Sequence, residues 1–184
     1  MRKAMRLMAV AGAFAGAVIG CGGAADAAAA AAGPGPFYWI VGVNSGKVLM
    51  PSGQSKAYGE QIVQAGQGDL GAQHWKILGS GNGRKLYNRH SHLCIVAPAT
   101  GSAAYLRQEG CDGNSGDPSN LRPVWTVSDY DAMWAGSPVT WQSPYSFHVM
   151  DVYQARLDDG APLIQYPYTG GTNQQFYLKH VPGT

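Results

Sequence analysis

Charged side chains are scarce in this 184-residue chain: Lys, Arg, Asp and Glu make up 13 % of it, against roughly 25 % in ordinary soluble domains. Thirteen basic and eleven acidic residues leave a net charge of +2. No basic run lies beyond Arg2, Lys3 and Arg6. A nucleic-acid reader concentrates Lys and Arg on one face, so no nucleic-acid partner is expected. Long apolar runs are also missing. The stretch Leu7–Gly20 is uncharged and has 14 residues, short of the ~20 that a membrane span needs. Cysteine is limited to Cys21, Cys94 and Cys111. Beyond residue 36 no segment carries the apolar period of a helix.

What is present divides the chain in two. The basic start followed by Leu7–Gly20 reads as a signal peptide over residues 1–27, ending at the A-x-A-like Ala25-Asp26-Ala27. Val18-Ile19-Gly20-Cys21 also resembles a bacterial lipobox, with cleavage before Cys21 and lipid attached to it. Both readings stand. The expected location is therefore secreted, or anchored to the cell envelope as a lipoprotein. Residues 28–36, rich in Ala, Gly and Pro, read as a linker, and residues 37–181 as one folded domain. In an exported chain, Cys94 and Cys111 form the remaining even pair and are expected to be joined.

The folded part repeats. Trp75, Trp125 and Phe176 sit in similar strands spaced 50 and 51 residues apart. Each unit has four short β-patterned runs. These are Phe37–Val43, Lys47–Met50, Glu60–Ala65 and His74–Leu78; Lys85–Asn88, Leu93–Val96, Ala103–Gln108 and Val124–Val127; and Val139–Gln142, Phe147–Val152, Leu163–Tyr166 and Gln174–Leu178. Turn signals such as Asn44-Ser45-Gly46, Gly81-Asn82-Gly83, Asp158-Asp159-Gly160 and Gly170-Gly171 separate them. Three four-stranded units that must share one core predict an all-β fold, a β-trefoil with pseudo-threefold symmetry. Trp75, Trp125 and Phe176 are expected at its centre.

Gln73-His74-Trp75, the Cys94/Cys111 pair and, above all, the third unit's Asp151-Val152, Asp159–Tyr166 and Gly170–Phe176 resemble the ricin B-type (Q-x-W) lectin family. The resemblance implies a non-catalytic carbohydrate binder. It assigns sugar contact in the third unit to Asp151, Ile164, Tyr166, Asn173 and Gln174. Ile164 stands where many members have Gln, and Gln174 either touches sugar or braces Asp151. The first unit offers Met50, Ala65 and Ala72 at three of these places, and the second Val96, Glu109 and Arg122-Pro123, so both are expected to be structural only.

The residue types suit a pyranose. An aromatic such as Tyr166 covers its C–H face, an ionised Asp accepts two hydroxyl protons, and Asn both donates and accepts. A shallow single site of this kind is expected to bind in the millimolar range, around −4 to −5 kcal/mol. Truncating Asp151 to Ala is expected to abolish binding and leave melting unchanged.

The implied partner is a mono- or oligosaccharide or glycoconjugate of galactose-like type. No cofactor and no metal is expected: His90-Ser91-His92 lacks a supporting ligand cluster, and Asp158-Asp159-Gly160 reads as a turn. Membrane contact is expected only through a lipid on Cys21. The competing reading is a targeting or toxin-associated trefoil subunit working through protein contacts, with the aromatics Tyr130, Trp134, Trp141 and Tyr145 divided between core and surface.

Overall fold

Among the described residues twelve short strands form, four per repeat and each two to six residues long. The computed structural model describes residues 35–112 and 121–184. The expected signal segment, Cys21 and the linker up to residue 34 lie outside the described residues.

The strands are β1 (Tyr38–Gly42), β2 (Val48–Pro51), β3 (Ile62–Ala65), β4 (Trp75–Ser80), β5 (Gly83–Asn88), β6 (Cys94–Val96), β7 (Arg107–Glu109), β8 (Thr126–Val127), β9 (Trp141–Gln142), β10 (Val149–Val152), β11 (Leu163–Tyr166) and β12 (Phe176–His180). The first and fourth strands of each repeat close a barrel. β12 pairs with β1, β1 with β4, β4 with β5 and β8 with β9. Bridges Arg84–Trp125 and Val139–Phe176 complete the ring. The inner hairpins β2–β3, β6–β7 and β10–β11 cap one end. The chain is a β-trefoil, as its repeats predict.

The cap is knitted around the threefold axis. Bridges Gln61–Arg107, Val63–Pro162 and Tyr105–Ile164 tie each hairpin to the next. Ile62, Leu106 and Leu163 meet beneath them, fully buried. Gln64, Gln108 and Gln165 repeat one device. Each side-chain amide donates to two carbonyls of a neighbouring repeat: Arg156 and Asp158, Ser55 and Ala57, and Ala99 and Gly101 respectively. No repeat supplies the acceptors for its own glutamine's NH2 group, so the three repeats stabilise one another.

The expected core anchors are at the centre. Trp75, Trp125 and Phe176 are fully buried. Trp75 Nε1 donates to the Leu49 carbonyl at 2.9 Å and Trp125 Nε1 to that of Ile95 at 3.0 Å. Phe176 fills the third place without a donor. A disulfide joins Cys94 and Cys111, whose Cα atoms are 5.0 Å apart.

Several details differ from the sequence reading: the expected run Ala103–Gln108 is strand only over β7 (Arg107–Glu109), with Ala103 at φ +60°, and Val139–Gln142 only over β9 (Trp141–Gln142). A five-residue helix, α1 (Tyr130–Trp134), forms where no helical period is visible, and Asp129 caps it by accepting from the Ala132 amide at 2.9 Å. The run Phe147–Val152 starts as a strand only at Val149, because Phe147 adopts φ +61°. Gln174 belongs to a 3-10 turn, Thr172–Gln174, rather than to β12. Of the four aromatics, Trp141 is fully buried, Tyr130 and Tyr145 pack against the core, and Trp134 is exposed.

Candidate functional site

The hairpin β10–β11 and the turn Thr172–Gln174 build one polar cleft. Strand register sets its floor: Asp151 pairs with Ile164 and Val149 with Tyr166, so Asp151, Ile164 and Tyr166 share one face of the hairpin. The turn then brings Asn173 and Gln174 back against Asp151. Gly170 takes φ +81° at the bend, a backbone that favours glycine. A Cβ on Gly171 would lie 2.5 Å from Asn173 Oδ1. The Gly-Gly pair is what lets Asn173 fold over its own turn.

Asp151 is only 4 % exposed and is held on both oxygens. Asn173 Nδ2 donates to Oδ1 at 2.9 Å and Gln174 Nε2 to Oδ2 at 2.8 Å. Burial pushes the Asp151 carboxyl above its ordinary value, and the bonds from Gln174 and Asn173 pull it back. A carboxylate has about four lone-pair sites, so each oxygen keeps capacity for a further donor. The arrangement is an acceptor aimed and locked in advance, which suits hydroxyl donors at charge-assisted strength.

The cleft encloses about 420 Å³ and is lined by Asp151, Tyr153, Gln154, Ala155, Ile164, Tyr166, Thr169 and Asn173. Four of the five residues singled out from sequence therefore come together in it. Tyr166 is 40 % exposed, a half-open aromatic wall.

Gln174 sits behind the cleft rather than in it. It is fully buried, donates also to the Pro167 carbonyl at 2.9 Å, and accepts from the Thr169 amide at 2.8 Å and its hydroxyl at 3.1 Å. Of the two roles left open, the brace is the one its hydrogen bonds fill. The expectation that Asp151→Ala leaves melting unchanged is corrected by the same geometry. Truncation would strip an acceptor from buried Gln174, and such an orphaned donor costs about 1–3 kcal/mol.

Tyr153, Gln154, Ala155 and Thr169 were not singled out. The first three form the 3-10 turn after β10, with Gln154 at φ +55° and Ala155 at φ +52°. Their only sequence signal is position, directly following the Asp151-Val152 pair.

The other two repeats keep the scaffold and lose the acceptor. In the first, Met50 replaces Asp151 and Gln73 keeps its brace, donating to the Gly66 carbonyl at 2.9 Å and accepting from the Gly68 amide at 2.7 Å. In the second, Arg122 donates to Glu109 at 3.0 Å in a buried ion pair, filling the place where the third repeat opens. Asp158 and Asp159 are spent on Arg156 and Lys47. Among the described residues no His, Cys, Asp or Glu cluster is arranged to hold a metal, and no helix is long and apolar enough to cross a membrane.

Fold and cleft define a β-trefoil with one preorganised acceptor site. Residues 29–109 match the family model described as ricin-type beta-trefoil lectin domain-like. The matched stretch is similar to a ricin-type β-trefoil lectin domain and stops before the third repeat. Among solved structures, the designed threefold-symmetric protein ThreeFoil is 27 % identical, with a TM-score of 0.69 over 79 % of this chain and 99 % of its own. An exo-β-1,3-galactanase from Clostridium thermocellum is 24 % identical, with a TM-score of 0.71 over 81 % of this chain. This chain spans only 31 % of that enzyme's length. The C-half of an earthworm R-type lectin, solved in complex with GalNAc, is 22 % identical, with a TM-score of 0.61 over 80 % of this chain and all of its own. No curated protein matches the chain by sequence.

Proposed function

We propose that this chain is an exported, non-catalytic lectin with one sugar site, the third-repeat cleft, which takes galactose-like glycans. The observation that carries the reading is the Asp151 carboxylate, buried yet facing the cleft and held on both oxygens by Asn173 and Gln174. In this arrangement Asp151 accepts two hydroxyl protons, Asn173 contributes its amide, Ile164 floors the cleft and Tyr166 covers the sugar's C–H face. Gln174 holds Asp151 and does not touch the ligand. The galactose-like assignment leans on similarity to the GalNAc-bound earthworm lectin.

Asp151→Asn tests this on a glycan array. An amide at this place turns one NH2 toward a neighbouring NH2 and removes the charge. The unaltered chain is expected to bind galactose-terminated glycans and the variant none. Equal binding by both would put the sugar elsewhere.

A second reading, a targeting or toxin-associated trefoil subunit acting through protein contacts, is favoured by the fold similarity to part of a mosquitocidal holotoxin, with a TM-score of 0.66 over 17 % of that chain. It predicts capture of a defined protein partner with no glycan binding at all. Export belongs to the same proposal and rests on the N-terminal charge and apolar pattern. Mass spectrometry of the mature N-terminus distinguishes a lipid-bearing Cys21 from cleavage after Ala27.

A further inference from the structure

The cleft does not end within its own repeat. The bridge Tyr105–Ile164 places a residue of the second repeat directly beside the cleft floor. Asp151 on β10, Ile164 on β11 and the bridge residue Tyr105, just before β7, are therefore consecutive neighbours, their side chains on one face. Adjacent strands lie about 4.8 Å apart, so this row spans about 10 Å. Tyr105 is 44 % exposed, and its ring meets that of Tyr153 edge-on with centroids 6.5 Å apart. Tyr153 in turn lines the cleft. Tyr166 walls one end, and the Tyr153–Tyr105 pair forms a second aromatic surface at the other.

The threefold symmetry provides the comparison. The bridges Gln61–Arg107 and Val63–Pro162 are the counterparts of Tyr105–Ile164. Hence the second repeat's position receives Gln61, the first repeat's receives Pro162, and only the third receives an aromatic. Tyr153 likewise has Ser52 and Pro98 as its counterparts. Two aromatics from different repeats thus gather at the one cleft that holds a carboxylate, and neither is required by the trefoil.

We propose that Tyr105 and Tyr153 form a second subsite, so that the cleft takes an oligosaccharide: one ring on Asp151 and Tyr166, the next against the Tyr153–Tyr105 surface. This rests on the lectin reading above and adds the length of the ligand to it. Aromatic rings cover sugar C–H faces without directional demands, so this subsite selects for chain length more than for hydroxyl configuration.

Calorimetric or NMR titration with galactose, lactose and β-1,3-galactotriose tests it on the unaltered chain, Tyr105→Gln, Tyr105→Phe and Asp151→Asn. The unaltered chain should prefer the trisaccharide over galactose by about three- to tenfold. Tyr105→Gln installs the first repeat's own residue on an exposed position. It should erase that preference and leave galactose affinity unchanged, which also certifies folding. Tyr105→Phe should keep the preference. Galactose binding that is lost in Asp151→Asn, together with a trisaccharide preference absent from the unaltered chain or retained in Tyr105→Gln, overturns the second subsite alone. No binding of any probe by the unaltered chain overturns the lectin reading and the subsite together.

Discussion

Replacing Asp151 by Met copies the first repeat into the third. Met50 already occupies that place, with Gln73 Nε2 3.8 Å from its sulfur and the rest of the glutamine brace intact. The loop therefore tolerates a thioether. Two opposing terms set the stability of Asp151→Met. Hydrogen bonds to a charged acceptor net about 1.5–3 kcal/mol, and those from Asn173 and Gln174 are lost. Against this, the cost of burying a carboxylate disappears, and added apolar burial returns about 0.8 kcal/mol per CH2. The sum should stay within about 1 kcal/mol, or about 2–4 °C in melting temperature for a chain of this size. Binding has no such compensation. Two sugar hydroxyls on an ionised acceptor contribute roughly 3 kcal/mol even at the low end, so affinity should fall more than about 100-fold. Calorimetric titration with lactose beside a circular-dichroism melt reads both quantities. Lactose affinity within threefold of the unaltered chain would refute the ligand role. A collapse of the melt would show that Asp151 is instead a structural keystone.

The raised pKa of Asp151, caused chiefly by burial, sets a pH dependence with two opposite signs. Sugar binding needs the ionised form, so affinity should drop on acidification at a pH where exposed aspartates are still charged. In the sugar-free chain this group's contribution to stability is full below its unfolded value of 3.8 and is lost as pH rises through the raised folded value. Affinity and melting temperature measured between pH 4 and 7 check both. Reducing the Cys94–Cys111 disulfide should cost about 3 kcal/mol for the loop it closes. The melt should then fall by about 6–12 °C, with galactose affinity unchanged because Asp151 and Tyr166 lie in another repeat. Phe147→Gly should raise the melting temperature by about 2–8 °C, since a left-handed non-glycine residue costs about 1–2 kcal/mol. Gly46 takes φ +67° in the equivalent turn, and Phe147 is 78 % exposed, so little packing is lost.

The trefoil was readable because its signal is periodic. Three copies of one strand pattern, with Trp75, Trp125 and Phe176 about 50 residues apart, constrain the architecture more than any single strand does. α1 escaped because five residues are too few to display a helical period, leaving only the Asp129 cap as a cue. The cleft was readable where it follows one repeat: Asp151, Ile164, Tyr166 and Asn173 are ordered along the chain as they are in space. Its remaining walls were not. Tyr153, Gln154 and Ala155 enter through a turn with left-handed backbone, and Tyr105 comes from a different repeat, a neighbour set by the threefold axis rather than by sequence distance. The burial of Asp151 was also invisible, since residue type alone suggests a surface carboxylate.

The central claim is that one repeat of three binds sugar. Titrating the 15N-labelled unaltered chain with galactose tests it most directly. The account predicts shifts at the side-chain amide of Asn173 and the backbone amides around Asp151, Tyr153 and Thr169, with the amides around Met50 and Val96 unmoved. Shifts centred on either of those two repeats, or none up to tens of millimolar galactose, would contradict it.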